Sequence, residues 1–83
     1  MICADVEVKI KEGLTSNNLA FFIQKASGYR AEVFVQKGKC KANAKSLLGL
    51  LSLRISDNDR VTISADGDDE RMAIAELGEY LKS

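Results

Sequence analysis

The sequence predicts an α+β fold in which a four-stranded antiparallel sheet carries helices on one face. Segments with period-two alternation indicate strands, segments with a period of 3.6 indicate helices, and the two kinds follow one another in the order βαββαβα. The turn Lys37-Gly38 joins two of the strands into a hairpin. The chain has 83 residues, of which 46% are hydrophobic, so we expect one domain spanning residues 1–83.

The first strand is predicted over Ile2–Lys11 and is ended by Gly13. Apolar and charged residues alternate along it, which is typical of a half-buried strand. The apolar series is Ala4, Val6, Val8 and Ile10, and the charged series is Asp5, Glu7, Lys9 and Lys11.

The first helix is predicted from about residue 16 to 27, because apolar side chains there recur at helical spacing. Those side chains are Leu19, Phe22, Ile23 and Ala26. Thr15 or Ser16 is expected to cap its start, and Gly28 is placed where a left-handed C-cap belongs.

The rest of the chain alternates in the same way between strands and helices. We predict strands over Ala31–Gln36, Lys39–Asn43 and Arg60–Asp66, a short helix over Leu47–Leu53, a turn at 57–59 and a last helix introduced by Gly67-Asp68. The predicted inward side chains are Val33, Val35, Val61, Ile63, Ala65, Ile74, Leu77 and Leu81, with Met72, Ala73 and Tyr80 beside them and Phe34 on the outer face.

Composition excludes several classes of function. Twelve basic and twelve acidic side chains cancel, so neither direct nucleic-acid binding nor binding to an anionic membrane is favoured. The chain contains no histidine, which removes ordinary zinc sites and both Ser-His-Asp and Cys-His catalysis. No cofactor is implied. No signal peptide or membrane span is visible, so a cytoplasmic protein is expected.

Two further groups of residues have both a structural and a functional interpretation. Cys3 and Cys40 are interpreted as small buried or half-buried thiols, with a disulfide between them as the alternative. The stretch Asp66–Glu70 holds four carboxylates in five residues. We interpret it as a solvated, helix-capping charge run, because it lacks the ligand pattern of an EF-hand calcium site.

The segment NAKSLLGLLSL, residues Asn43–Leu53, resembles the region around the regulatory serine of HPr, the histidine-containing phosphocarrier of the bacterial phosphotransferase system. The resemblance extends over essentially the whole chain, including the glycine before the first helix, the hairpin and the stretch VTISADGDDE. It implies an open-faced β-sandwich with three helices on one side. The chain is closest in type to the catabolite-repression HPr-like proteins, which lack the active-site histidine.

A second family signature, Gly-aliphatic-His-Ala-Arg-Pro-Ala, is altered in this chain. Gly13 and Leu14 match it, but Thr15 stands in the place of the histidine, Asn17 in that of the arginine and Asn18 in that of the proline. A phosphothreonine ester would not pass its phosphoryl group on as the labile phosphohistidine bond does. Asparagine offers only neutral hydrogen bonds where arginine would bind phosphate in a bidentate manner. We therefore predict that the chain is not an enzyme and cannot relay phosphate from Enzyme I.

The serine signature is retained. The resemblance implies that Ser46 is phosphorylated by an HPr kinase/phosphorylase, whereas the simpler alternative is that it only caps the short helix. The residues that the resemblance assigns to partner binding are Lys45, Leu47, Leu48 and Leu51, with Thr15 and Asn17; Leu50 and Leu53 are assigned to the core. For the leucines, the alternative is that all of them are core.

These observations leave three functions to compare. The first is a regulatory HPr-like protein that, once phosphorylated, acts as corepressor for a LacI-type catabolite control regulator. Asn17 weakens that role, because the family's arginine contacts the regulator. The second is an adaptor or decoy in which Ser46 is only a cap. The third, an unrelated enzyme on this fold, has no sequence signal in its favour.

Overall fold

The computed structural model describes residues 1–10 and 15–82. The predicted end of the first strand at Lys11 and the family matches Gly13 and Leu14 lie outside the described residues. None of the described helices is both long and apolar enough to cross a membrane.

The described elements follow the predicted βαββαβα order. They are β1 (Ile2–Glu7), α1 (Ser16–Ser27), β2 (Glu32–Lys37), β3 (Cys40–Asn43), α2 (Leu47–Ser52), β4 (Arg60–Asp66) and α3 (Glu70–Lys82). The strands form one antiparallel sheet in the order β1-β4-β2-β3. The predicted antiparallel open sheet with three helices is therefore confirmed.

The core lies between the sheet and the helices. In the register, Val6 of β1 faces Val61 of β4, and Val35 of β2 faces Ile63 of β4. The largest fully buried side chains are Phe22, Leu19, Leu50, Ile63, Leu77, Leu81, Val8, Val33, Val35 and Val61. The opposite face of the sheet carries Phe34, as predicted, with the Lys41 ammonium 4.7 Å from the centre of its ring.

The first strand is shorter than predicted. The β ladder ends at Glu7, because its partner Arg60 is the first residue of β4. Val8 instead exchanges backbone hydrogen bonds with the turn that precedes β4. It donates to Asp59 O at 2.8 Å and accepts from Asn58 N at 2.7 Å. The alternation continues past the ladder, since Val8 is buried, but the pairing does not.

Two helix ends also differ from the prediction. Gly28 has φ −76°, so the left-handed C-cap expected there is wrong. Its N–H donates to the carbonyls of Lys25 and Ala26, which tightens the last turn without a left-handed residue. The short helix ends at Ser52, with Leu53 as its C-cap, and the left-handed residues of the following loop are Arg54 and Asn58.

The interpretation of the cysteines as buried or half-buried thiols is wrong, since Cys3 and Cys40 are both exposed and free. Cys3 lies on β1 between Ile2 and Ala4 and is paired with Ser64, while the neighbouring inward positions are taken by Ala4 and Val6. Cys40 begins β3 at the opposite edge of the sheet, so the alternative of a disulfide within the chain is also wrong.

The acidic stretch holds backbone amides. Asp69 accepts hydrogen bonds from Arg30 N and Ala31 N, both at 2.9 Å, and so ties the segment before β2 to the start of α3. Glu70 Oε1 accepts from Gly67 N at 3.2 Å. The amide of Arg30 and then that of Ala31 hold the pKa of the Asp69 carboxyl below its usual range.

We expect Asp69→Asn to lower the melting temperature near neutral pH, because a neutral amide accepts these two bonds less well. The folded-state pKa of Asp69 is lowered, so its stabilising effect is present above the unfolded value of about 3.9 and is lost as the pH falls through the folded value. Thermal unfolding followed by circular dichroism from neutral pH down to about pH 3 should therefore show the gap between wild type and variant closing with acid. Asp68→Asn, at an exposed neighbour, is the matched control. A gap that is constant with pH would contradict the assignment.

Candidate functional site

Ser46 is the N-cap of α2 and its side chain is exposed. Its Oγ accepts a hydrogen bond from Gly49 N at 3.2 Å, and its own N–H donates to Asn43 O at 3.0 Å. The Asn43 side chain in turn accepts from Lys45 N at 2.8 Å. These bonds fix the chain between β3 and α2, so the Ser46 hydroxyl stands at a defined place on the surface.

The leucines of α2 and of its C-cap divide into two sets, as the sequence predicted. Leu48 is 81% exposed, Leu47 42% and Leu51 41%; we call these three the leucine patch. Leu50 and Leu53 are 1% and 5% exposed and belong to the core. The alternative that all five leucines are core is therefore wrong, and an exposed apolar cluster lies directly beside Ser46.

The Lys45 side chain is bound to the segment before β2. Its Nζ donates to Tyr29 O at 3.0 Å and, at 3.4 Å, to Ala31 O. The ammonium thereby joins the start of α2 to the segment before β2. Lys45 is exposed and precedes Ser46, and its ammonium is already bound to two carbonyls.

The start of α1 carries the predicted cap. Thr15 accepts a hydrogen bond from Asn18 N through Oγ1 at 3.4 Å and precedes the helix in extended conformation. Thr15 and Asn17 are both exposed, and the first turn of α1 contains no acidic side chain. Helices α1 and α2 pack against one another, so the two predicted site regions belong to neighbouring helices.

Two features of helices α1 and α2 had no role in the sequence predictions. One is the exposed Phe21, which falls outside the apolar stripe of α1 and borders a depression of about 330 Å³ with Lys25 and Tyr80. The other is Gly49, which lies inside α2 next to Ser46. An isolated glycine in a helix was the available signal, because glycine disfavours helix and therefore needs a packing or functional reason.

Comparisons with known proteins agree with this fold. A family model described as the PTS HPr component phosphorylation site matches residues 2–83. The HPr-like protein Crh of Bacillus subtilis is 40% identical over 82 residues, covering 99% of this chain and 96% of its own length. Its counterpart in Halalkalibacterium halodurans is 38% identical and is covered to 98%. Among solved structures, that of HPr-C-His from Thermoanaerobacter tengcongensis superposes with a TM-score of 0.95 at 40% identity, covering 100% of this chain and 93% of the other.

Proposed function

This chain belongs to the family of the PTS HPr component, and on that premise we propose that it is a regulatory HPr-like protein phosphorylated at Ser46. The observation that carries the proposal is the exposed Ser46 hydroxyl at the start of α2, beside the leucine patch. A modifying enzyme needs an accessible acceptor and a surface to hold, and α2 offers both within one turn of helix.

The same proposal holds that the chain does not relay phosphate through the start of α1. Thr15 occupies the position of the family's histidine, and the chain has no histidine that could act as a base or as the carrier. Asn17, in the place of the arginine, supplies no positive charge to a phosphoryl group. A threonine ester formed there would be stable rather than transferable.

Phosphorylation at Ser46 is compatible with the fold. The phosphoester would stand outside the helix, where the free amides of the first turn and the helix dipole favour negative charge. The Lys45 ammonium already binds Tyr29 O and Ala31 O, so its contacts need not be broken to form the ester. We infer that modification adds charge to the surface and leaves α2 folded.

The partners that we propose are an HPr kinase/phosphorylase and, after phosphorylation, a LacI-type catabolite control regulator. The leucine patch, with Thr15 and Asn17 on the neighbouring helix, is the proposed contact surface. Because Asn17 replaces a cationic residue, binding of the regulator depends more on the leucine patch and on the phosphate than on an ion pair. With these partners, we propose that the protein acts in the cytoplasm.

We expect incubation with a bacterial HPr kinase/phosphorylase and ATP to add one phosphoryl group, as measured by mass spectrometry of the intact protein. Ser46→Ala should abolish the gain. Ser52→Ala, which removes another exposed serine of the same helix, should leave it unchanged. A parallel reaction with Enzyme I and phosphoenolpyruvate should give no acid-labile label, while an HPr with its histidine does. Labelling by Enzyme I, or a phosphoryl gain that survives Ser46→Ala, would refute the corresponding part of the proposal.

A second function is supported by one contact. The Ser46 hydroxyl already caps α2 through Gly49 N, which is a complete structural role for a serine at this position. In that case the protein is an adaptor or decoy, and the leucine patch binds its partner without modification. Failure of the kinase to modify the wild-type protein would favour this function.

A further inference from the structure

We propose that Gly49 is a positioning residue for the phosphorylation of Ser46. Because position 49 has no side chain, the Ser46 hydroxyl can occupy its observed position without a steric clash. The inference rests on the proposed function and deepens it. It assigns to Gly49 a role that its backbone conformation does not require, since among the described glycines only Gly38 and Gly67 have positive φ.

The space beside Gly49 is bounded by two side chains. A Cβ on Gly49 would lie 3.3 Å from Ser46 Oγ and 3.5 Å from Ser46 Cβ. On the other side it would lie 3.2 Å from the Cβ of Ala42 on β3. Both closest distances are tighter than ordinary van der Waals contact, so one of the two neighbours would have to move by a few tenths of an ångström.

The two neighbours differ in how easily they can move. Ala42 is nearly buried and belongs to the ladder with Val35, so its Cβ is fixed by the sheet. Ser46 is exposed, and its Oγ can change position by rotation about the Cα–Cβ bond. The crowding from a methyl group at position 49 would therefore be relieved by displacing the hydroxyl, with loss of its bond from Gly49 N.

Displacement of that oxygen matters for phosphoryl transfer. Ser46 Oγ attacks the γ-phosphorus of ATP, the new O–P bond forms as the bond from phosphorus to the β–γ bridging oxygen breaks, ADP leaves, and the hydroxyl proton passes to a base of the kinase. In-line attack depends on the position of the nucleophilic oxygen, and small misplacements cost rate rather than binding. The three atoms nearest to the added methyl group belong to Ala42 and Ser46, so we expect docking through the leucine patch to be retained.

The test compares Gly49→Ala with wild type in the HPr kinase/phosphorylase reaction with ATP. We expect kcat to fall about tenfold with KM changed less than about twofold. Gly78→Ala is the matched control. Gly78 lies on α3, and a Cβ there would meet only Val6 Cγ2, at an ordinary contact distance of 3.7 Å. The melting temperature of Gly49→Ala should stay close to that of wild type, since the better helix propensity of alanine offsets the loss of the capping bond from Gly49 N to Ser46 Oγ.

The double variant Ala42→Gly/Gly49→Ala separates the two contacts. It opens the space on the sheet side, so the methyl group at position 49 can move away from Ser46 Oγ, and kcat should recover at least in part. A double variant whose kcat is as low as that of Gly49→Ala, or a wild-type kcat for Gly49→Ala alone, overturns the inference and leaves the proposed function standing. A wild-type protein that the kinase does not phosphorylate overturns the proposed function, and the inference with it.

Discussion

Replacement of Gly67 by alanine is expected to destabilise the protein by about 3 kcal/mol, the upper range of the cost of forcing extra atoms into a packed site. A Cβ at this position would lie 2.6 Å from the Cα of Ala31, 3.0 Å from its Cβ and 3.1 Å from its N. Most of these are backbone atoms. Ala31 is fully buried, and its amide is held by Asp69, so it cannot move away without breaking the contact between the start of β2 and α3.

Urea unfolding followed by circular dichroism measures this effect. The control is again Gly78→Ala, for which we expect unchanged or slightly higher stability, by at most about 1 kcal/mol, because alanine favours helix. If Gly67→Ala unfolds at the same urea concentration as wild type, then the close approach of Gly67 to Ala31 is not a constraint of the native fold.

The sequence was sufficient to predict the order and type of the helices and strands, since the spacing of apolar side chains indicates which face of an element each residue occupies. Val6 and Val8 were both assigned inward and are both buried. The same alternation could not reveal where β1 stops pairing, because that depends on its partner. Arg60 begins β4, and beyond Glu7 the ladder has no strand to pair with.

Some of the errors came from positions whose environment is set by distant parts of the chain. Cys3 and Cys40 were expected to be buried or half-buried because small apolar thiols usually are. They lie on the two edge strands, an arrangement that the sheet order decides, although the alternation along β1 already places Cys3 on the face opposite Ala4 and Val6. The ammonium of Lys45 is directed by carbonyls at Tyr29 and Ala31, which are more than ten residues earlier in the chain.

The candidate site was recognisable because its pattern is local. Ser46, the short apolar helix after it and the alternation between exposed and buried leucines all lie within one segment, so helical spacing alone could separate Leu48 from Leu50. The significance of Gly49 was not recognisable in this way. It depends on Ala42 of β3, which closes the space from the other side.

Leu50→Ala and Leu48→Ala should have opposite consequences, although both shorten a leucine of α2. Leu50 is 1% exposed, and its truncation leaves a cavity between α2 and the sheet, which should cost about 3 kcal/mol of unfolding free energy. Leu48 is 81% exposed, so its truncation should change stability by less than about 0.5 kcal/mol. In the kinase reaction, Leu48→Ala should raise KM several-fold with little change in kcat, because an apolar contact of the leucine patch is lost.

Unfolding in urea and kinase kinetics on the same two variants separate packing from docking. The two effects should dissociate, with Leu50→Ala impaired in stability and Leu48→Ala impaired in KM. A Leu48→Ala protein with wild-type KM would mean that the kinase does not hold α2 by the exposed leucines. A Leu48→Ala protein as unstable as Leu50→Ala would mean that Leu48 is packed in solution, which would remove the exposed apolar surface on which the docking proposal depends.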